Sequence, residues 1–200
     1  MTRSLAFLFV VFTLICFSTP AKADLIYQSS TGNTLGGGPS LNSSQFIGSR
    51  FTIGGGGVSV TDVGGFFSAI SGTIDASILS MSGPIPSGSP FNGSEVLATT
   101  TFTPFQGDNL TPLSVALPAG DYALVFSTGV LGGTGNNIMS GNGTNTPEGT
   151  GSYFFWNGTN WQNGGVANAR FVVEGTPVPE PTSSLVLALT LSLFCRRARR

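Results

Sequence analysis

The side chains that most often carry out catalysis are missing from the long central stretch of this chain. Histidine is absent altogether, the two cysteines (Cys16 and Cys195) sit in apolar runs near the two ends, and the single lysine, Lys22, precedes the central stretch. Without imidazole or thiol, Ser–His–Asp and Cys–His sites are excluded, as is zinc or iron held by histidine. There is also no G-x-S-x-G elbow. Seven acids remain as candidate chemistry: Asp62, Asp75, Glu95, Asp108, Asp121, Glu148 and Glu174. Two of them at a suitable separation would make the acid and base of a glycoside hydrolase. No pattern pairs them, and scattered acids of this kind ordinarily keep a surface hydrated. Asp108-Asn109 and Asp121 offer oxygens that a calcium ion accepts, but no D-x-D-x-D-G array is present and turn roles explain them better. Gly132-Gly133-Thr134-Gly135 lacks the lysine and the following helix that a phosphate loop needs. Neither a metal centre nor a cofactor is expected.

The remaining candidates are aromatic. In Tyr153-Phe154-Phe155-Trp156, a strand would send Tyr153 and Phe155 to one face and Phe154 and Trp156 to the other. Tyr153, Trp156 and the nearby Trp161 are therefore candidates for stacking on sugar rings. Burial of both faces in a core is the preferred reading.

The elements that must position these residues are strands. Ile74, Ala76 and Ile78 alternate with Thr73, Asp75 and Ser77, the period of a half-buried strand. Leu113, Val115 and Leu117 do the same, Pro118-Ala119-Gly120 makes a turn, and Tyr122, Leu124 and Phe126 resume, which reads as a hairpin. Further strands are expected at Leu25–Gln28, Gln45–Ile53, Val58–Phe67, Val96–Phe102, Tyr153–Trp156 and Ala169–Glu174. Gly36–Ser44, Gly54–Gly57 and Ser82–Asn92 read as linkers, and Gly129–Gly151 as a long loop. The fold class is all-β, a single β-sandwich or jelly-roll-like domain over residues 24–175.

Composition agrees. Only 8% of the 200 residues are charged, and 29 are glycine. Eleven of the sixteen phenylalanines fall in the central stretch, which argues against disorder. Between Asp24 and Pro181 only Arg50 and Arg170 oppose nine acids, leaving a formal charge of −7. Such a domain repels nucleic acid, so no nucleic-acid partner is expected.

Both ends carry delivery signals. Residues 1–23 combine Arg3, an apolar run Leu5–Phe17 and an Ala21-Lys22-Ala23 cleavage site before Asp24, the grammar of a secretory signal peptide. At the other end, residues 176–200 hold Val178-Pro179-Glu180-Pro181, an apolar segment through Cys195, and Arg196, Arg197, Arg199 and Arg200. The arginines would hold that end in the cytoplasm. Leu185–Cys195, at ~16 Å of helix, is short for a permanent span. This tail resembles the PEP-CTERM sorting signal of Gram-negative bacteria. The resemblance implies recognition and removal of the tail by an exosortase during transit through the inner membrane. Pro112–Ser127 resembles the choice-of-anchor β-sandwich domains often found beside such tails, which implies a fold and an anchoring habit without indicating an activity. The flanking elements are then an N-terminal signal helix and a short C-terminal transmembrane helix, with a plain tail anchor as the alternative. The expected function is that of a non-enzymatic exported protein of the cell surface, outer membrane or extracellular matrix, associated with exopolysaccharide or biofilm. The alternatives are a carbohydrate-binding module and, further off, a carboxylate-dependent hydrolase.

Overall fold

The computed structural model describes residues 23–165 and 167–178, and these form strands with no helix among them. In chain order the strands are β1 (Asp24–Gln28), β2 (Ser30–Thr31), β3 (Ser40–Leu41), β4 (Phe46–Ile53), β5 (Val58–Ala69), β6 (Ile74–Ser80) and β7 (Val96–Phe102). There follow β8 (Gly107–Leu117), β9 (Gly120–Ser127), β10 (Asn137–Met139), β11 (Thr144–Asn145), β12 (Tyr153–Trp156), β13 (Trp161–Gly165) and β14 (Phe171–Pro177). Residues 1–22 and 179–200, and with them Ala21, the Pro179-Glu180-Pro181 motif and the four terminal arginines, lie outside the described residues. Among the described residues no helix is long and apolar enough to cross a membrane.

Two six-stranded sheets carry the fold. The first runs β1-β14-β5-β10-β3, with β8 on the other side of β5; the second runs β13-β12-β4-β9-β6-β7, and β2 pairs with β11. The faces that the two sheets turn toward each other are apolar: in β9, Tyr122, Leu124 and Phe126 alternate to point inward. They meet Val60, Val63 and Phe67 of β5, Leu113 and Leu117 of β8, and Phe171 and Val173 of β14 in one buried cluster. Phe126 sits at its centre, edge-on to Phe67 at 5.3 Å and stacked on Phe171 at 5.5 Å. Each such side chain contributes about 1.5–3 kcal/mol by leaving water. The all-β expectation holds, and the arrangement is sandwich-like.

The chain departs from the sequence reading in several places, among them Gly36–Ser44, read as a linker, which holds β3 and the fully buried Leu41. Leu113–Phe126 is not a hairpin: β8 pairs with β5 in the first sheet, whereas β9 lies between β4 and β6 in the second. Pro118-Ala119-Gly120 therefore turns the corner between sheets, and the Tyr122 hydroxyl closes it by donating to Pro118 O at 3.0 Å. An aromatic hydroxyl tied to backbone a few residues upstream is the tyrosine-corner device. Gly129–Gly151 is no free loop. It contains β10 and β11, and the Gly133 and Thr134 N–H groups donate to Asp75 Oδ2 and Thr73 O. The Ser82–Asn92 stretch is a cover rather than a linker. Together with Met81, its Ile85 and Phe91 lie over Phe46, Leu79, Val125, Phe154, Trp156 and Trp161, a second cluster on the outer face of the second sheet. Long loops commonly roof satellite clusters of this kind.

Candidate functional site

The site originates in a strand that stops short. β12 pairs with β4 only from Phe46 to Ser49. Arg50 still donates its N–H to Ser152 O at 3.1 Å, and beyond it β4 has β9 for its neighbour. The uncovered edge opens into a cleft of about 520 Å³ bounded by β1, β4, the start of β9, residues 81–83 and the 148–152 turn. Arg50, Thr52, Ser82, Asp121, Glu148 and Thr150 supply its polar walls. Ile26, Tyr27 and Phe51 form the apolar part, with the last two rings stacked at 5.3 Å.

Alternation along β4 explains this mixture. Phe51 and Ile53 point into the core, and Arg50 and Thr52 point outward, past the end of the aromatic cluster that covers Phe46. Thr52 lies directly across from Asp121 and donates its hydroxyl to Asp121 Oδ1 at 2.6 Å. Arg50 Nη2 donates to Gly151 O at 3.1 Å, and its Nε is buried without a partner among the described residues. Among the described residues no carboxylate lies within ion-pair distance of it; the ion pair found there is Arg170–Asp108.

A chain of hydroxyls supports the cleft from beneath. Ser152 Oγ donates to Gly149 O at 2.8 Å, Ser49 Oγ lies 2.7 Å from Ser152 Oγ, and Tyr27 Oη lies 2.6 Å from Ser49 Oγ. Burial pushes the Tyr27 phenol above its ordinary value of 10.0, against the opposing pull of its bonds to Ser152, Ser49 and Ser29. Neither serine hydrogen-bonds a carboxylate among the described residues. These hydroxyl bonds fix the position of the 149–152 turn.

The sequence-derived candidates fall elsewhere. Trp156 and Trp161 are 7% and 6% exposed. Trp161 packs against Phe46, Phe91, Phe154 and Trp156, and its indole N–H donates to Pro90 O at 2.6 Å and Gly88 O at 3.0 Å. Tyr153 turns to the opposite face with Phe155, half-buried against the inter-sheet core. Trp156 and Trp161 are thus packed into the second cluster and Tyr153 lies half-buried beside the inter-sheet core, in line with the preferred reading of two covered faces and leaving little ring surface for sugar stacking.

Of the seven acids, Asp121 and Glu148 share the cleft, and Asp62 and Glu174 face one another across β5 and β14. The rest hold structure. Asp75, fully buried, accepts from Thr101 Oγ1 at 2.6 Å and Gly133 N at 2.8 Å. Asp108 takes Arg170 Nη1 on both oxygens at 2.8 Å. Asn109 spends its amide on Phe105 and Gly107. Among the described residues no three potential metal ligands come together. Arg50 is the residue that sequence reasoning passed over, and its signal was its rarity as one of two cations in an acidic domain.

No family model matches the chain, and none of the curated proteins does. Its function must be read from its own geometry.

Proposed function

We propose that this chain is an exported, non-enzymatic protein of the cell surface or extracellular matrix, delivered by its leader and sorted by its PEP-CTERM-like tail through an exosortase. In this reading the sandwich is of the choice-of-anchor kind, flanked by a signal helix and a short transmembrane helix, and works among exopolysaccharides. One observation carries it. The folded unit fits between the two signals: β1 begins at Asp24, the residue after Ala21-Lys22-Ala23, and β14 ends at Pro177, just before Val178-Pro179-Glu180-Pro181. Cleavage on either side would leave every strand intact. The strand outlasts the expected boundary at 175 by two residues, held by pairing of Pro177 with Val58 and by Val178 N–H donating to Gly57 O at 3.0 Å.

The test is intact-mass analysis of protein recovered from the host surface and medium. The expected species begins at Asp24 and ends at or near Pro179–Pro181, with or without an adduct there. A species still ending at Arg200 and confined to the inner membrane would overturn the sorting reading and leave a plain tail anchor. A second reading, carbohydrate binding, is favoured by the cleft at the β4 edge rather than by the aromatic residues first suspected.

A further inference from the structure

We infer that the cleft lined by Arg50, Thr52, Asp121 and Glu148 is a binding site for a neutral oligosaccharide. For its class of ligand the inference rests on the reading that the domain works among extracellular polysaccharides. It does not depend on the fate of the tail.

The first argument is the state of Arg50. The other cation of the domain, Arg170, is consumed by Asp108 at 2.8 Å and Gln28 at 3.3 Å. Arg50 is anchored at one nitrogen by Gly151 O and pairs with no described carboxylate, although two of the domain's acids line the same cleft. A guanidinium carries five N–H donors in a fixed fork. Held at Nη2, with Nε buried, it keeps donors at its terminal nitrogens for a ligand and loses little side-chain freedom on binding.

Charge and size narrow the ligand. One cation against two carboxylates leaves the cleft at a formal −1, on a domain whose formal charge is already strongly negative. Uronate-rich or phosphorylated polymers would meet repulsion there. Apolar ligands would strand the polar walls. Sugar hydroxyls donate and accept at once. They can give protons to Asp121 Oδ2, for which no partner occurs among the described residues, and to Glu148, and they can accept from Arg50. At about 520 Å³ the cleft falls within the ~300–1,000 Å³ common for small-ligand sites, room for a short oligomer.

The position is preorganised. Thr52 Oγ1 fixes Asp121, the Tyr27–Ser49–Ser152 hydroxyl chain fixes the turn that carries Gly151 and Thr150, and both β4 and β9 are central strands of the second sheet.

The experiment is saturation-transfer NMR with calorimetry on the full chain, using soluble gluco-, manno- and galacto-oligosaccharides and an oligogalacturonate as the acidic comparison. At least one neutral oligomer should bind, with the oligogalacturonate weaker. Arg50→Gln and Asp121→Asn should each weaken that binding about tenfold or more, the value of losing a charged hydrogen bond, and Asp62→Asn, outside the cleft, should leave it unchanged. Thermal unfolding of each variant separates a lost site from a lost fold, and Arg50→Lys serves if Arg50→Gln does not fold. The inference is overturned if no neutral oligomer binds folded protein, if binding survives both cleft substitutions, or if the acidic oligomer binds more tightly. Any of these results alongside correct processing of the tail would discard the site and leave the sorting reading standing.

Discussion

At the scale of single residues, glycines set the packing as firmly as the large side chains do. Gly48 lies opposite Phe154 in the β4–β12 ladder, and a Cβ there would come within 2.5 Å of Phe154 Cζ and 2.9 Å of Val125 Cγ2. Gly48→Ala should cost roughly 1–3 kcal/mol by overpacking, read from urea unfolding. Gly64→Ala should cost more, because its Cβ would fall on the Asn109 backbone carbonyl, which cannot rotate away. Equal costs at the two positions would contradict this distinction. Tyr153 gives a second residue-scale prediction. Burial raises its phenol from 10.0 to about 12. The neutral form is the one favoured by folding, so its contribution is complete below pH 10 and is lost as pH rises toward 12. The tyrosinate absorbance of the folded protein should therefore rise late. Tyr153→Phe should remove the latest-titrating component and change stability little at pH 7; a component ionising near pH 10 at Tyr153 would show that the ring is not buried. Sequence alternation assigned Tyr153 and Trp156 to opposite faces. It favoured burial of both faces but could not name the cover of the Phe154–Trp156 face, because that cover is supplied by the distant Phe91 and Ile85.

The 82–95 segment is the element whose behaviour is most open to test. Phe91 stacks on Phe46 at 5.8 Å and leans on Trp161 at 5.7 Å, and Glu95 Oε1 accepts from the Ser87 N–H at 2.8 Å and hydroxyl at 2.5 Å. Burial pushes the Glu95 carboxyl up, but its hydrogen bonds to the Ser87 hydroxyl and to backbone at Ser87, Asn92 and Gly88 together hold it below its ordinary 4.5. Being favoured as the anion, Glu95 stabilises the fold fully above about pH 4.5 and loses that contribution as pH falls through its lowered value. Tryptophan fluorescence should shift to the red in that acid range as the cover loosens. Glu95→Gln should flatten the transition, and an unchanged transition in that variant would assign it to other carboxylates. Phe91→Ala should produce the same red shift at neutral pH and cost about 2–4 kcal/mol, at or below the usual range for a buried Phe.

The strands themselves were mostly legible because period-two alternation marks a half-buried strand directly: Val96–Phe102 and Tyr153–Trp156 match to the residue. The first half of β8 was hidden by Asp108-Asn109 and by Pro112. Proline is tolerated there because β8 is an edge strand with β5 for its neighbour, beside an irregularity in register at Val60–Asp62. β13 was hidden by its Gln-Asn-Gly-Gly composition, which a polar edge strand can carry. The cleft was illegible for another reason. It arises where β12 ends against β4, and pairing between segments a hundred residues apart has no local signature.

At the scale of the whole molecule, the fold brings the first and last strands of the described domain together. β1 and β14 are antiparallel neighbours, with Asp24 opposite Gly175 and Leu25 opposite Glu174, so the chain enters and leaves the domain at the same end. The opposite end is built from the turns after β5, β7 and β9, which tie to one another: Gln106 Nε2 donates to Ser68 O, and Asn136 N to Ser71 O. β5 alone spans 12 residues between the two ends, ~40 Å at about 3.3 Å per residue. A tail-tethered domain would thus hold its far turns well clear of the attachment point, while the cleft, lined by the end of β4, the start of β9 and Ile26, lies toward the tethered end. Residues 24–178 contain no cysteine, which makes the arrangement testable by crosslinking. Paired residues on antiparallel strands have Cα atoms ~4.5–5.5 Å apart, inside the ~4.4–6.8 Å that a disulfide spans. Leu25→Cys with Glu174→Cys should therefore close on mild oxidation, giving a faster-migrating species on non-reducing gels. Closing so long a loop should raise stability by up to about 4–5 kcal/mol if strain is small. Failure to close, or a bridge that lowers the unfolding temperature, would mean that β1 does not pair with β14 in this register, and the shared end at which the chain enters and leaves the domain would fall with it.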